Sequence, residues 1–314
     1  MAATLTSIKP PGITWYEVIR RTWASAMEDD ILGRSAQLSY YFFLAVFPAL
    51  ICLLAVLKLF AASGEALRVG FLQFLTNLMP GSASQLVEKT LREITQSSAK
   101  SKIPIGILFS LWSASAGMSA VMDTLNSQFK VPETRSFVRR NLTAIGLTAG
   151  CAFLLLASLA IVLAGGPVAE TFSHGISTGL IKIVQWPTAF ALMLFGFALI
   201  YFFAPDVKEQ KWHWVTPGAV CALFLWLVVS LALKIYVHFF NTYSATYGSL
   251  GAVIILLIWF YLTGTAVLLG AEINSVLEDE AALEGDPEAK MKGEKAPQQP
   301  ARPLPNTKAR AHSA

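Results

Sequence analysis

Charge is what this sequence has least of. Only 14% of its 314 residues are Asp, Glu, Lys or Arg, against roughly 25% in an ordinary soluble domain. The shortage is concentrated, because residues 141–271 hold just seven charged side chains: Glu170, Lys182, Asp206, Lys208, Glu209, Lys211 and Lys234. So few cannot wet the surface of a globule, and a water-soluble fold is not expected. Cysteine is scarce too. Cys52, Cys151 and Cys221 all fall inside apolar runs with no metal-type spacing, which argues against a disulfide framework and a zinc site. The histidines are His174, His213, His238 and His312, none close to another. A metal-dependent phosphodiesterase needs several His and Asp ligands converging on its ions, so no catalytic residues, metal site or cofactor are expected. The net charge of +4 gives no reason to invoke nucleic acid, since in a membrane chain it reflects where the loops lie. Residues 1–11 lack an apolar h-region, so the chain is expected to enter the membrane through its own first span rather than behind a signal peptide.

What is abundant is hydrocarbon, at 54% of the residues. A bilayer core about 30 Å thick needs around 20 apolar residues in a helix, and six stretches reach that length: 38–60, 103–122, 141–164, 180–204, 215–240 and 250–271. The expected fold class is therefore all-α, an integral membrane bundle of six transmembrane helices. Pro48 inside the first span should kink it, and Pro217 suits the first turn of the fifth.

Both termini then lie on one side, and Lys and Arg choose which. Lys9, Arg20, Arg21 and Arg34 precede span one, Lys130, Arg135, Arg139 and Arg140 crowd the second loop, and Lys208 and Lys211 occupy the fourth. These loops and both termini are expected in the cytoplasm. The third loop, 165–179, and the fifth, 241–249, have no Lys or Arg. The first loop does carry Arg68, Lys89, Arg92, Lys100 and Lys102, but spreads them over a long segment with three glutamates.

Outside the spans, residues 1–37 are expected to form a cytoplasmic segment with an amphipathic helix over 14–32. Its apolar face repeats every four residues at Trp15, Ile19, Trp23, Met27 and Ile31, as in a helix lying in the membrane interface. A second amphipathic helix is expected over 82–96. Residues 38–277 form the membrane domain, and the acidic, then Lys- and Pro-rich stretch 278–314 is expected to be a disordered cytoplasmic tail.

Four separated stretches carry a family resemblance: Ser35-Ala-Gln-Leu-Ser-Tyr-Tyr-Phe-Phe-Leu-Ala-Val-Phe-Pro48; Leu111-Trp-Ser-Ala-Ser-Ala-Gly117 with Leu125-Asn126; Ala204-Pro-Asp-Val-Lys208 with Trp212 and Pro217-Gly-Ala219; and Thr246-Tyr-Gly-Ser-Leu-Gly251 with Gly270-Ala-Glu-Ile-Asn274. In this order they resemble the YihY/BrkB family of bacterial inner-membrane proteins, over roughly residues 15–277. The resemblance implies a six-helix membrane protein of the bacterial cytoplasmic membrane without a settled activity. Some members are labelled ribonuclease BN and others virulence factors, and the histidine pattern above disfavours the nuclease reading for this chain.

Candidate site residues follow from what is rare in a span. Lys58 and Lys234 are bases inside apolar runs near the outer ends of their helices. Either they snorkel to the interface, or they face the interior and favour an anionic group. Ser113 and Ser115 add hydroxyls to the least apolar span. Asn241, Tyr243 and Tyr247 make the fifth loop polar, as belt residues or as the lining of an outer vestibule. Trp212 and Trp214 on the other side read as interfacial anchors. Glu272, at the inner end of span six, is expected to pair with Arg139 or Arg140. Gly117, Gly146, Gly150 and Gly270 sit at helical spacing with other small residues and read as helix packing points. Together these favour movement of an amphipathic, anionic lipid-like substrate, with a non-transporting envelope or scaffold protein as the alternative. Membrane lipids are the expected partners, and the pattern is compatible with a homo-oligomer.

Overall fold

The computed structural model describes residues 13–59, 103–172, 176–207, 216–239, 249–284, 289 and 293. Among them every regular element is a helix: α1 Trp15–Glu28, α2 Ile31–Leu59, α3 Ile103–Gln128, α4 Phe137–Phe172, α5 Ile176–Phe203, α6 Pro217–Phe239 and α7 Ser249–Leu283. Within them, Phe137–Ser158, Ile183–Phe203, Pro217–Val237 and Val253–Leu283 are long and apolar enough to cross a membrane.

Local chemistry sets the helix ends. Thr14 Oγ1 accepts from Glu17 N at 3.2 Å, and threonine with glutamate three residues on is the capping-box pattern. The turn into α2 places Asp30 at φ 51°. Its Oδ1 accepts from Gly33 N at 3.3 Å, and a Cβ at Gly33 would lie 2.8 Å from the Asp30 Cγ. At the end of α3, Lys130 turns to φ 54° and Val131 N reaches back to Asn126 O at 2.9 Å, which closes the last turn.

The long helices close a ring, α2 beside α3, then α4, α5, α6, α7 and back to α2, while α1 lies against α7 and α2. α7 is the hub. Its Ala266, Val267, Leu268, Ala271, Glu272, Ser275, Val276 and Leu277 are buried, with Val267, Leu268 and Ala271 sharing a core with Leu38, Met122, Leu125, Ala144, Tyr201 and Ala222. The outside is hydrocarbon: Leu142 and Phe153 on α4, Ile183 and Trp186 on α5, and Phe224 and Leu231 on α6 are all exposed. Such a surface is a liability in water and fits lipid.

Helix boundaries differ from those expected. The N-terminal helix stops at Glu28, and Ile31 begins α2 as a buried core residue. α1 docks through Val18, Thr22 and Ala26, so Trp15, Ile19, Trp23 and Met27 face outward. On its polar side, hydrogen bonds from Arg21 and Arg20 hold the Glu17 carboxyl below its usual range. α7 runs on past 277 to Leu283: Leu277 packs on Ile13 and Val18, and Glu280 pairs with Arg21. Those contacts half-bury residues 278–282, which composition alone assigns to a tail, and Gly293 N donates to Phe129 O at 3.2 Å. The helix expected over 82–96 and the residues Trp212 and Trp214 lie outside the described residues.

Candidate functional site

The ends of α3 and α5, the start of α6 and the later half of α7 meet in one polar and small-residue junction. Gln128, the last residue of α3 and buried, donates through Nε2 to Leu268 O at 2.9 Å and to Glu272 Oε2 at 2.6 Å. Glu272 is fully buried. Tyr201 of α5, also buried, donates its hydroxyl to Val267 O at 2.7 Å. α6 then approaches α7 backbone to backbone. A Cβ at Gly218 would collide with Gly270 O and stand 2.6 Å from the Asn274 Cγ, and one at Gly270 would collide with the Tyr201 hydroxyl and stand 2.7 Å from the Ala222 Cβ. Glycine is the residue that allows this separation. Asn274 uses the closeness: its Oδ1 accepts from Gly218 N at 2.8 Å, and its Nδ2 donates to Thr216 Oγ1 at 3.0 Å. Thr216 in turn accepts from Ala219 N at 3.1 Å, which caps α6.

The segment between α3 and α4 is clamped to the end of α5 by a second set of bonds. Arg135 holds Glu133 with both arms of its fork, Nε to Oε1 at 2.7 Å and Nη2 to Oε2 at 2.8 Å. It also donates to Phe203 O at 3.1 Å and Ala204 O at 2.8 Å, where the terminal carbonyls of α5 concentrate negative potential. Asn126 bridges the two sides, donating to Glu133 Oε2 at 2.8 Å and accepting from Asp206 N at 2.6 Å. Asp206 Oδ2 accepts from the Thr134 hydroxyl and backbone N at 2.6 and 2.7 Å. Burial raises the Glu133 carboxyl, but the hydrogen bonds and charge of Arg135 outweigh it and leave the group below its usual range.

The residues singled out in the sequence do not assemble into one place. Ser115 is buried with its hydroxyl donating to Trp112 O at 2.6 Å, and Ser113 is half-buried on α3. Lys234 is exposed on α6, which is not a ring neighbour of α3. Lys58 lies on α2, but its side chain, like Asn241, Tyr243 and Tyr247, is outside the described residues. Gly117 packs tightly, with a Cβ there 3.2 Å from the Ala45 Cβ, and Gly270 packs more tightly still. At Gly146 and Gly150 a Cβ meets nothing within 4 Å among the described residues, so no close helix contact is seen there. The expected pairing of Glu272 with a loop arginine is corrected, since Arg140 reaches Asp123 at 2.6 Å and Gln128 reaches Glu272. Gln128, Tyr201, Glu133 and Arg135 were not singled out as site residues. Position at a helix end is their one sequence signal.

Gly218, Gly270, Glu272 and Asn274 in the junction, and Asn126 and Asp206 in the clamp, all come from the stretches that carry the family resemblance. What they do there is fasten helices.

The family model described as virulence factor BrkB matches residues 22–296. A ribonuclease-like protein of Bacillus subtilis, YfkH, is 35% identical over 256 residues, covering 80% of this chain and 91% of its own. A UPF0761 membrane protein of Idiomarina loihiensis is 29% identical over 221 residues, covering 68% of this chain and 74% of its own. Another from Xanthomonas oryzae is 30% identical over 283 residues, 86% of this chain but 62% of its own longer one. No solved structure matches. With a family model matched along most of its length and relatives named as membrane proteins, the chain is a membrane protein that belongs to the BrkB family.

Proposed function

We propose that the chain is a six-span protein of the bacterial cytoplasmic membrane, with both termini inside, that moves an amphipathic, anionic lipid-like substrate between leaflets. α2 and α3 supply the two spans beyond the four counted above, and the junction then lies on the cytoplasmic side with the Arg- and Lys-rich loops. The observation that carries the reading is Lys234. It is an exposed ammonium within a strongly apolar helix, about 8 Å short of its outer end at 1.5 Å per residue, so its long side chain reaches the outer interface by snorkelling, where it can meet the headgroup of an anionic lipid. In a partly dehydrated setting it attracts phosphate far more strongly than in water. The protein acts without enzymatic chemistry of its own on this reading.

In vesicles holding the full-length protein, Lys234→Gln should slow the movement of a fluorescent phosphatidylglycerol several-fold and leave the melting temperature nearly unchanged. Lys234→Arg should keep part of the rate, since charge survives while headgroup geometry alters. Equal rates for wild type and Lys234→Gln would sink the reading. Topology is tested separately, by labelling intact cells with a membrane-impermeant thiol reagent. Ser84→Cys should react and Ser136→Cys should not, and the reverse pattern would invert the orientation.

One observation favours a non-transporting envelope role instead: α1 offers an outward row of Trp15, Tyr16, Ile19 and Trp23, a surface suited to recruiting a partner. Wild-type vesicles that move no lipid would leave that reading in place.

A further inference from the structure

α6 and α7 form a wedge. At the junction end their backbones touch through Gly218 and Gly270, and further along Trp226 and Trp259 fill the space between them, ring centroids 6.2 Å apart. Trp259 Nε1 donates to Ser230 Oγ at 3.1 Å, which ties the helices at that level. Beyond this tie the gap is no longer filled. Leu233 and Tyr236 on α6 face Ile254, Ile255 and Ile258 on α7 around an apolar cavity of about 240 Å³. Ile255 is buried at its depth, while Tyr236 and Ile258 are exposed at its mouth.

We infer that this cleft is a lateral binding site for the acyl chain of a phospholipid drawn from the surrounding bilayer. The inference rests on the membrane reading and names where the lipid of the proposed transport sits. Two observations choose the occupant. The mouth carries the exposed side chains of Tyr236 and Ile258, on two helices that fit a membrane span, so hydrocarbon is what abuts it. At about 240 Å³ the cavity is larger than the roughly 150 Å³ that holds a benzene ring, yet smaller than one turn of a helix about 10 Å across, roughly 420 Å³. It accepts a chain, and a helix of a second copy does not fit. Filling the cleft recovers dispersion contacts that an empty apolar void forgoes.

The test uses the full-length protein in vesicles of phosphatidylethanolamine and phosphatidylglycerol, the latter carrying a diazirine in one acyl chain, with adducts mapped by mass spectrometry after photolysis. Tyr236 and Ile258 should be labelled about tenfold over Leu142 and Phe153, which are more exposed on α4, a ratio equivalent to 1.4 kcal/mol of preferential occupancy. Ile258→Trp at the mouth should abolish that excess at Tyr236 and leave Phe153 unchanged. Ile254→Trp gives the same reading should the first variant fold poorly. Even labelling over α4, α6 and α7, an excess that survives both tryptophans, or cross-links between two copies at Ile258 would each overturn the site. Lipid movement is followed in the same vesicles. A labelled cleft without movement upholds the site and removes the transport reading, whereas movement with an unlabelled cleft does the opposite.

Discussion

Gly218→Ala and Gly270→Ala should each remove most of the folded protein from a detergent extract, whereas Gly146→Ala and Gly150→Ala should leave it intact. All four changes add one methyl group, so the difference isolates what the methyl meets. At Gly218 it meets the carbonyl oxygen of Gly270, and at Gly270 the Tyr201 hydroxyl. These are a backbone atom and a hydroxyl pinned to Val267 O, and neither yields cheaply. Overpacking a core costs typically 1–3 kcal/mol where side chains can give way. Here α6 and α7 must part, which also stretches the bonds from Gly218 N to Asn274 and from Tyr201 to α7, so a loss of about 4 kcal/mol or more is expected. At Gly146 and Gly150 the methyl enters open space, and the better helix propensity of alanine makes the change neutral or stabilising by up to about 1 kcal/mol. Gly117→Ala should fall between, since the Ala45 Cβ at 3.2 Å has to shift only slightly. Thermal unfolding of the detergent-solubilised variants, read by size-exclusion profile, ranks them. Wild-type melting temperatures for Gly218→Ala and Gly270→Ala would show that the two helices are not in contact there.

Arg135→Ala should be the most damaging change in the polar clamp, at about 3 kcal/mol. It strips Glu133 of a bidentate partner and two α5 carbonyls of their donor, and breaking a largely buried ion pair leaves a charge behind. Arg135→Lys should recover less than half, because an ammonium cannot serve both carboxylate oxygens and the helix end together. The pH dependence follows in sign. The folded-state carboxyl of Glu133 lies below its ordinary value of 4.5, so the ionised form is favoured by folding. Its contribution is complete above that value and disappears as pH falls through the lower folded one. The stability gap between wild type and Arg135→Ala should therefore be constant near neutral pH and narrow below about 4.5. A gap that stays open in acid would mean that the α5 carbonyls, not Glu133, are what Arg135 holds.

How legible the fold was in the sequence depends on how local each feature is. The apolar stretches 180–204 and 215–240 reappear as Ile176–Phe203 and Pro217–Phe239, because the length of a hydrophobic run is written residue by residue and the cap at Thr216 and Pro217 lies within the same few positions. The end of the last helix was not legible. Glu278, Asp279 and Glu280 read as a solvated tail, and only the docking of α1 through Val18 and Arg21 makes another turn of helix worth forming there. The packing glycines show the same limit: Gly117, Gly146, Gly150 and Gly270 are alike in sequence, yet just two of them face another helix closely.

Sequence alone thus determined that the chain is helical, apolar on its outside and membrane-embedded, and it carried the stretches that mark the BrkB family, since hydropathy and order along the chain are local quantities. Tertiary structure alone decided that Gln128 meets Glu272, that Asn126 bridges Glu133 and Asp206, and that Gly218 lies on Gly270. Those partners are far apart in the chain, and the pairing of polar groups in a low-dielectric interior is set by which helix faces which, a choice made only when the ring of helices closes.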